Sequence, residues 1–118
     1  LEHVKARGLP TILCTLYRPN FENPVQINLS QPGLLAINSI IISAAMKVDF
    51  ILNKYPFVSV FLLFGCPVID FRSIFTENED YANAIEPASQ GGLKIVANII
   101  NVLVEHDFNR KVTSIYSI

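Results

Sequence analysis

A helical repeat of apolar residues between Leu34 and Leu52 constrains the fold more than any other feature of the sequence. Six apolar residues recur there at steps of three and four: Leu34, Ile37, Ile41, Ala44, Val48 and Ile51. A second stripe widens this face and consists of Leu35, Ile42, Ala45 and Phe50. Such spacing is typical of one face of an α-helix. We predict a mostly buried helix with Ser30 as N-cap, Pro32 in its first turn and Asn38 on its narrow polar edge.

A second helix is predicted from Ser89 to Glu105. One apolar stripe consists of Leu93, Val96, Ile100 and Leu103, and a second lies alongside it with Ile95, Ile99 and Val102. Ser89 is the expected N-cap. The Gly91-Gly92 pair either weakens the start of this helix or permits close packing there.

Three weaker helices complete the prediction. One runs from His3 to Tyr17 with a bend near Pro10, and a short one follows Asp107 as far as Tyr116. Residues 57–71 are ambiguous, because β-branched and aromatic residues favour a strand whereas the length and missing alternation permit a buried helix. Pro67 argues against a central strand, so we predict a helix. The expected fold is all-α, an array of four or five packed helices.

The composition indicates a section of a larger protein. Of the 118 residues, 51% are apolar and 16% charged, which leaves little charge for the surface of a free-standing domain. The chain also opens without Met. We expect residues 1–118 to be a single helical region of a larger helical domain. Polar residues between Leu29 and Met46, and the shortness of residues 57–69, speak against a membrane span.

No pattern of catalytic residues is found in the sequence. There is no glycine-rich phosphate loop, and no serine lies in a nucleophile elbow. The carboxylates Glu77, Glu79 and Asp80 fall in a polar connection, 76–80, that we expect at the surface. We therefore predict no enzyme, no catalytic residue and no cofactor.

Metal and nucleic-acid binding are not expected either. His3 and His106 lie at opposite ends of the chain, and no cysteine is near either of them. Cys14 and Cys66 each sit among apolar residues, so we expect them to be buried small hydrophobes. The net charge of −1 gives no electrostatic basis for contact with nucleic acid.

The order of segments resembles a known family. An apolar segment ends in LYRPNF, a helix with an Ala-Ala pair follows, and a Pro-Phe step opens the next apolar segment. This order is similar to the regulatory middle homology region of fungal binuclear zinc-cluster transcription factors. The matching residues are Leu16, Tyr17, Arg18, Pro19, Ala44, Ala45, Pro56, Phe57, Phe64 and the range Leu93 to Leu103. The six-cysteine zinc cluster of that family is absent from this chain.

The resemblance implies a regulatory or ligand-sensing, protein-binding region in the nucleus that does not itself contact DNA. Its partners would be the rest of the parent chain and a coactivator or an apolar small molecule, with no membrane involved. In this interpretation Pro19 ends a helix and Arg18 complements the negative end of the helix dipole. The alternative is a non-enzymatic helical scaffold or assembly subunit unrelated to transcription.

Overall fold

The chain alternates short strands with helices. The computed structural model describes Arg7 and residues 9–54, 66–110 and 113–117, with the backbone alone for 47–54. The elements are β1 (Leu13–Cys14), α1 (Pro24–Lys54), β2 (Val68–Ile69), α2 (Ser89–Glu105) and β3 (Ile115–Tyr116). Two single 3-10 turns, Phe71–Ser73 and Asn78–Asp80, lie between β2 and α2.

The three strands form one parallel sheet in the order β1-β2-β3. Leu13 is paired with Val68, and Val68 is paired in turn with Ile115. The Thr15 amide donates to the Ile69 carbonyl at 3.0 Å, which extends the pairing beyond the ends of the strands. Both residues of β2 are fully buried, as expected for the central strand of a parallel sheet. Because the strands are parallel, their carboxyl ends meet at one edge.

The prediction of an all-α array of four or five helices is wrong. In the part of the chain that the structure describes, there are two α-helices and a three-stranded sheet. The predicted helix over 57–71 is wrong where it can be compared, since β2 lies within 66–71, and residues 55–65 lie outside the described residues. Pro67 is compatible with the sheet because it directly precedes β2, a position where proline is tolerated, and its carbonyl accepts from the Leu13 amide at 2.9 Å.

The two terminal helices that we predicted are also replaced by strands. The described part of the first one contains β1, and the segment that follows Asp107 leads to β3. β1 and β3 each contain two residues, too few for any periodicity to show. Their structure depends on hydrogen bonds to β2, more than 40 residues away in the chain, and such pairing can override local preference.

Helix α1 confirms the predicted helix over Leu34 to Leu52 but begins earlier, at Pro24. The Asn23 side chain accepts from the Val25 amide at 2.9 Å, as an N-cap residue does. Pro24 follows as the first helical residue, where proline loses no hydrogen bond. Ser30 is therefore inside the helix, and its hydroxyl donates to the Ile27 carbonyl. The prediction of Ser30 as N-cap is wrong.

Helix α2 has the predicted bounds, and only one of its two apolar stripes packs against the core. The other stripe is exposed by half or more: Leu93, Val96, Ile100 and Leu103. Gly91, Asn98 and Val102 are buried instead, and Ile95 and Ile99 pack against the core. Ala88, not Ser89, is the N-cap. Both stripes have helical spacing, so periodicity alone does not tell which of them meets the sheet.

The core lies between the sheet, α2 and the segment after β2. Its buried members are Ile69, Phe71, Ile74, Phe75 and Val102. The Tyr17 ring stacks on Phe75 with centroids 4.1 Å apart, and Tyr81 packs against Phe75 at 5.1 Å. Aromatic pairs of this kind add roughly 0.5–1.5 kcal/mol beyond the area they bury.

Much of the apolar surface of both helices is left exposed by the described residues. On α1 the exposed side chains include Val25, Leu29, Leu35, Ile40 and Met46. The stretch Pro24–Met46 is long and apolar enough to cross a membrane, and few of its residues are buried. Core helices of soluble proteins and signal sequences share this length and composition, so the stretch by itself does not indicate a membrane. Membership of a larger domain stays a prediction.

The two glycines at the start of α2 provide a matched pair for testing its packing. A Cβ on Gly91 would clash with the Asp80 carbonyl oxygen and lie 2.8 Å from the Phe75 ring, whereas none of these atoms lies within 4 Å of a Cβ on Gly92. We expect Gly91→Ala to destabilise the fold by about 1–3 kcal/mol. Gly92→Ala should stabilise it by about 0.5–1 kcal/mol. Urea unfolding measures both, and equal shifts of the two midpoints would contradict this packing.

Candidate functional site

The segment Leu16–Pro19 does not end a helix; it follows the carboxyl end of β1 and has no regular secondary structure. The prediction that Pro19 terminates a helix and that Arg18 caps it is therefore wrong. The segment is held by side chains from elsewhere in the fold. The Tyr17 hydroxyl donates to the Ile85 carbonyl at 2.8 Å, and the Tyr81 hydroxyl donates to the Arg18 carbonyl. These two hydrogen bonds hold the backbone at Arg18 in place.

Asn38 holds the same segment from the side of α1. Its side-chain oxygen accepts from the Leu16 amide at 2.7 Å, and its nitrogen donates to the Leu16 carbonyl at 3.0 Å. Asn38 is fully buried, contrary to the expectation that it lies on a polar edge. It satisfies both backbone groups of an edge segment, as a further strand would. The contact joins α1 to the carboxyl end of β1.

Asp70 organises the carboxyl end of β2. Its amide donates to the Tyr116 carbonyl at 2.8 Å, and its carboxylate accepts from the Thr15 hydroxyl at 2.9 Å. The same carboxylate forms an ion pair with Arg72, whose Nε lies 2.7 Å from Oδ1. The bond from Arg72 is the main cause that lowers the pKa of Asp70, and Thr15 adds to it. Asp70 therefore stays ionised and orients Arg72 at the edge of the sheet.

A cleft of about 440 Å³ lies at this carboxyl edge. We call it the carboxyl-edge cleft, and it is lined by Arg18, Asn28, Gln31, Pro32, Leu34, Leu35, Asn38 and Arg72. Its two cationic residues follow β1 and β2, and the other residues come from α1. In open α/β sheets, ligands bind in the crevice at the carboxyl ends of the strands. The volume falls within the usual range for small-molecule sites.

Arg18 and Arg72 differ in how their charges are compensated. Asp70 neutralises Arg72, whereas the exposed Arg18 guanidinium makes no hydrogen bond or ion pair with the described residues. The described lining of the carboxyl-edge cleft also contains no carboxylate. The cleft thus carries an uncompensated positive charge on a backbone that is itself fixed. Guanidinium groups bind carboxylate and phosphate groups through paired hydrogen bonds.

The remaining residues of the predicted motif do not join this site. Ala45 is fully buried, and its carbonyl accepts from the Thr113 hydroxyl, while Ala44 is half-buried. Phe57 and Phe64 lie outside the described residues. Of the predicted residues, the structure brings Leu16, Tyr17 and Arg18 to the cleft or its support. The sequence reasoning missed the residues that complete the site, above all Asn38, Asp70 and Arg72.

Asp80 is a second polar centre that the sequence reasoning placed wrongly. The prediction of a surface connection holds for 76–79, but the Asp80 side chain is fully buried. Lys94 Nζ lies 2.7 Å from its carboxylate, and Gln90 donates at 3.1 Å. The amides of Thr76 and Glu77 donate to the same group. The bond from Lys94 is the main cause that lowers the pKa of Asp80 to about 2. These contacts fix the start of α2 and serve a structural role.

The described residues contain no group of three or more His, Cys, Asp and Glu side chains that could hold a metal ion. Cys14 is half-buried and Cys66 buried, and neither forms a disulfide. Burial raises the pKa of the Cys14 thiol, and the neighbouring Cys66 adds to this. The predictions of no metal, no cofactor and no enzymatic activity stay predictions.

Comparison of the chain with protein-family models, with curated proteins and with solved structures finds no match. The site must therefore be interpreted from its own geometry.

The Asp80 cluster predicts a specific acid sensitivity. Its folded pKa of about 2 lies below the value of about 3.9 for a free aspartate, so the unfolded chain binds more protons between these values. The stability from Asp80 is present above about pH 4 and is lost as the pH falls towards about 2. Thermal unfolding midpoints should decline over this range.

In Asp80→Asn the part of this decline that Asp80 causes should disappear, while the midpoint at neutral pH falls because Lys94 loses its partner. An exposed carboxylate in the same connection, Glu79, offers the matched control Glu79→Gln, which should keep the decline. An unchanged acid response in Asp80→Asn would contradict the assignment.

Proposed function

We propose that this chain binds a small molecule with an anionic group in the carboxyl-edge cleft of its parallel sheet. The observation that carries the proposal is the combination of a fixed backbone and a free guanidinium at Arg18. Tyr81 and Asn38 hold the chain on either side of it, and its charge has no partner among the described residues. Arg72, by contrast, uses its guanidinium in the fold, in the ion pair with Asp70.

The rest of the lining indicates what else the ligand contains. The exposed amides of Asn28 and Gln31 form no hydrogen bond with the described residues, so they are available to polar groups of a ligand. Pro32, Leu34 and Leu35 form an apolar wall. A ligand that fits has a carboxylate or phosphate at one end and a compact apolar body at the other.

The regulatory role inferred from the resemblance to a transcription-factor region was tied to an all-helical array. The parallel sheet removes that basis, and nothing in the structure favours nuclear regulation over the scaffold alternative. Neither hypothesis has this chain contact DNA, and the regulatory one alone places it in a larger protein. Whether other parts of such a protein act chemically on the ligand is a separate question from binding.

Matched probes with and without charge test the proposal. Benzoate and benzamide share an apolar ring, but only benzoate is anionic. We expect benzoate to shift the NMR signals of the Arg18 side chain and of the Asn28 and Leu35 amides, and benzamide to bind more weakly. Because a hydrogen bond to a charged group contributes roughly 1.5–3 kcal/mol, Arg18→Gln should weaken benzoate binding by about tenfold or more.

The control variant is Arg110→Gln, because Arg110 is exposed and lies outside the carboxyl-edge cleft. It should leave the affinity for benzoate unchanged, and Arg18→Gln should leave the affinity for benzamide unchanged. Inorganic phosphate serves as a third probe of the charged end alone. If none of the probes shifts the signal of Arg18, or if both variants weaken benzoate binding equally, the proposal is wrong.

A further inference from the structure

His106 lies at the carboxyl end of α2 and is buried, with 8% of its surface exposed. Its Nδ1 lies 2.9 Å from the Tyr116 hydroxyl on β3, and the ring packs edge to face on Phe108 at 4.8 Å. The other ring nitrogen, Nε2, is buried and has no hydrogen-bond partner among the described residues. A buried polar atom without a partner needs a physical explanation.

The neutral imidazole fits these surroundings, and the protonated imidazole does not. A neutral ring can donate from Nδ1 to the Tyr116 hydroxyl oxygen, and Nε2 is then an acceptor that carries no hydrogen. Protonation places N–H groups on both nitrogens, and the one on Nε2 then has no acceptor in the described part of the fold. A buried donor left unpaired is costly, all the more when the ring is charged.

The charged groups around the ring do not offset this cost. Burial lowers the pKa of His106, Asp107 acts in the opposite direction, and Arg110 in the following turn lowers it further. Glu105 precedes the ring on α2, and Tyr116 faces it from β3. The effects of Asp107 and Arg110 on the pKa of His106 oppose each other, because the two charges have opposite signs.

A small cavity of about 140 Å³ adjoins the ring. It is lined by Glu105, His106, Asp107, Arg110, Ser114 and Tyr116. A charged ring that leaves its buried position can enter this space, where carboxylates and water are available to it. The movement breaks the contact with the Tyr116 hydroxyl.

We propose that His106 is a pH-sensitive contact: its hydrogen bond to Tyr116 holds β3 against α2 when the ring is neutral, and β3 is released when the ring is protonated. The released state accepts the proton more readily than the bound state, so falling pH favours release. The strand matters to the rest of the sheet because the Tyr116 carbonyl accepts from the Asp70 amide at 2.8 Å. Release of β3 therefore breaks the hydrogen bond of the Asp70 amide. Asp70 is then held less firmly, and so is Arg72, which it pairs with.

The strand release itself does not depend on the proposed ligand. Its consequence for the carboxyl-edge cleft rests on the proposed function, since the expected effect there is weaker binding of an anion at acid pH. Amide hydrogen exchange separates the two, because it reports on the strand without any ligand present.

The test compares two amides within the sheet. The Asp70 amide bonds to β3, whereas the Thr15 amide bonds to the Ile69 carbonyl of β2 and serves as internal reference. From about pH 7.5 to about pH 5, where an unperturbed histidine titrates, the protection factor of Asp70 should fall relative to that of Thr15. The free-energy cost of an unpaired buried donor corresponds to a fall of the Asp70 protection factor by about tenfold or more.

Three variants assign the effect to this ring. His106→Gln cannot take up a proton in this range and should abolish the selective fall, while His3→Gln, which changes the only other histidine, should keep it. Tyr116→Phe removes the hydroxyl that His106 contacts, so Asp70 should be less protected already at neutral pH.

A selective fall that persists in His106→Gln would overturn the proposal, as would an equal fall of both amides in the unaltered chain. If His106→Gln does not fold, ring ¹⁵N shifts of the unaltered chain give the answer. Titration of His106 with no change at the Asp70 amide would also overturn it.

Discussion

Asp70 is the residue on which the arrangement of the sheet depends. Its amide reaches β3 through the Tyr116 carbonyl, its carboxylate reaches the segment after β1 through the Thr15 hydroxyl, and it anchors Arg72. One residue at the end of the central strand thus connects all three strands with one wall of the carboxyl-edge cleft. Strands of two residues form few ladder hydrogen bonds, so side-chain bonds of this kind contribute a large share of their pairing.

The cleft shows how the same residue type serves two purposes. Arg72 is neutralised by Asp70 and belongs to the framework. Arg18 is carried on a backbone held by Asn38 and Tyr81, and its charge has no partner within the described ranges. A fixed backbone lowers the entropic cost of binding a ligand, because less of the chain has to be ordered. The anion-binding proposal depends on this difference more than on the size of the cleft.

The sequence predicts the long helices well and the rest of the fold poorly. The helix Ser89–Glu105 is predictable because its apolar residues repeat over about three turns, but two candidate faces are present, and only the sheet decides between them. The start of α1 is indicated by Asn23-Pro24, an N-cap followed by a proline, rather than by Ser30. The strands could not be predicted from periodicity, because each has two residues and partners far along the chain.

The site was missed for a related reason. Asn38 and Asp80 look like surface residues in the sequence, yet both are fully buried, because their hydrogen-bond partners come from distant segments such as Leu16 and Lys94. A polar residue within an apolar helical stripe was the available indication for Asn38. Of the two cationic residues of the cleft, the sequence motif includes Arg18 alone, and that motif predicts a helix end rather than a binding site.

The measurement that tests this account most directly is the scalar coupling across two hydrogen bonds by NMR. We expect a coupling between the Asp70 amide nitrogen and the Tyr116 carbonyl carbon, and another between the Thr15 amide nitrogen and the Ile69 carbonyl carbon. Both couplings together place β2 between β1 and β3, with Asp70 at the end of the central strand. Their absence, with helical chemical shifts for residues 66–71, would contradict the sheet, the carboxyl-edge cleft and the functions inferred from them.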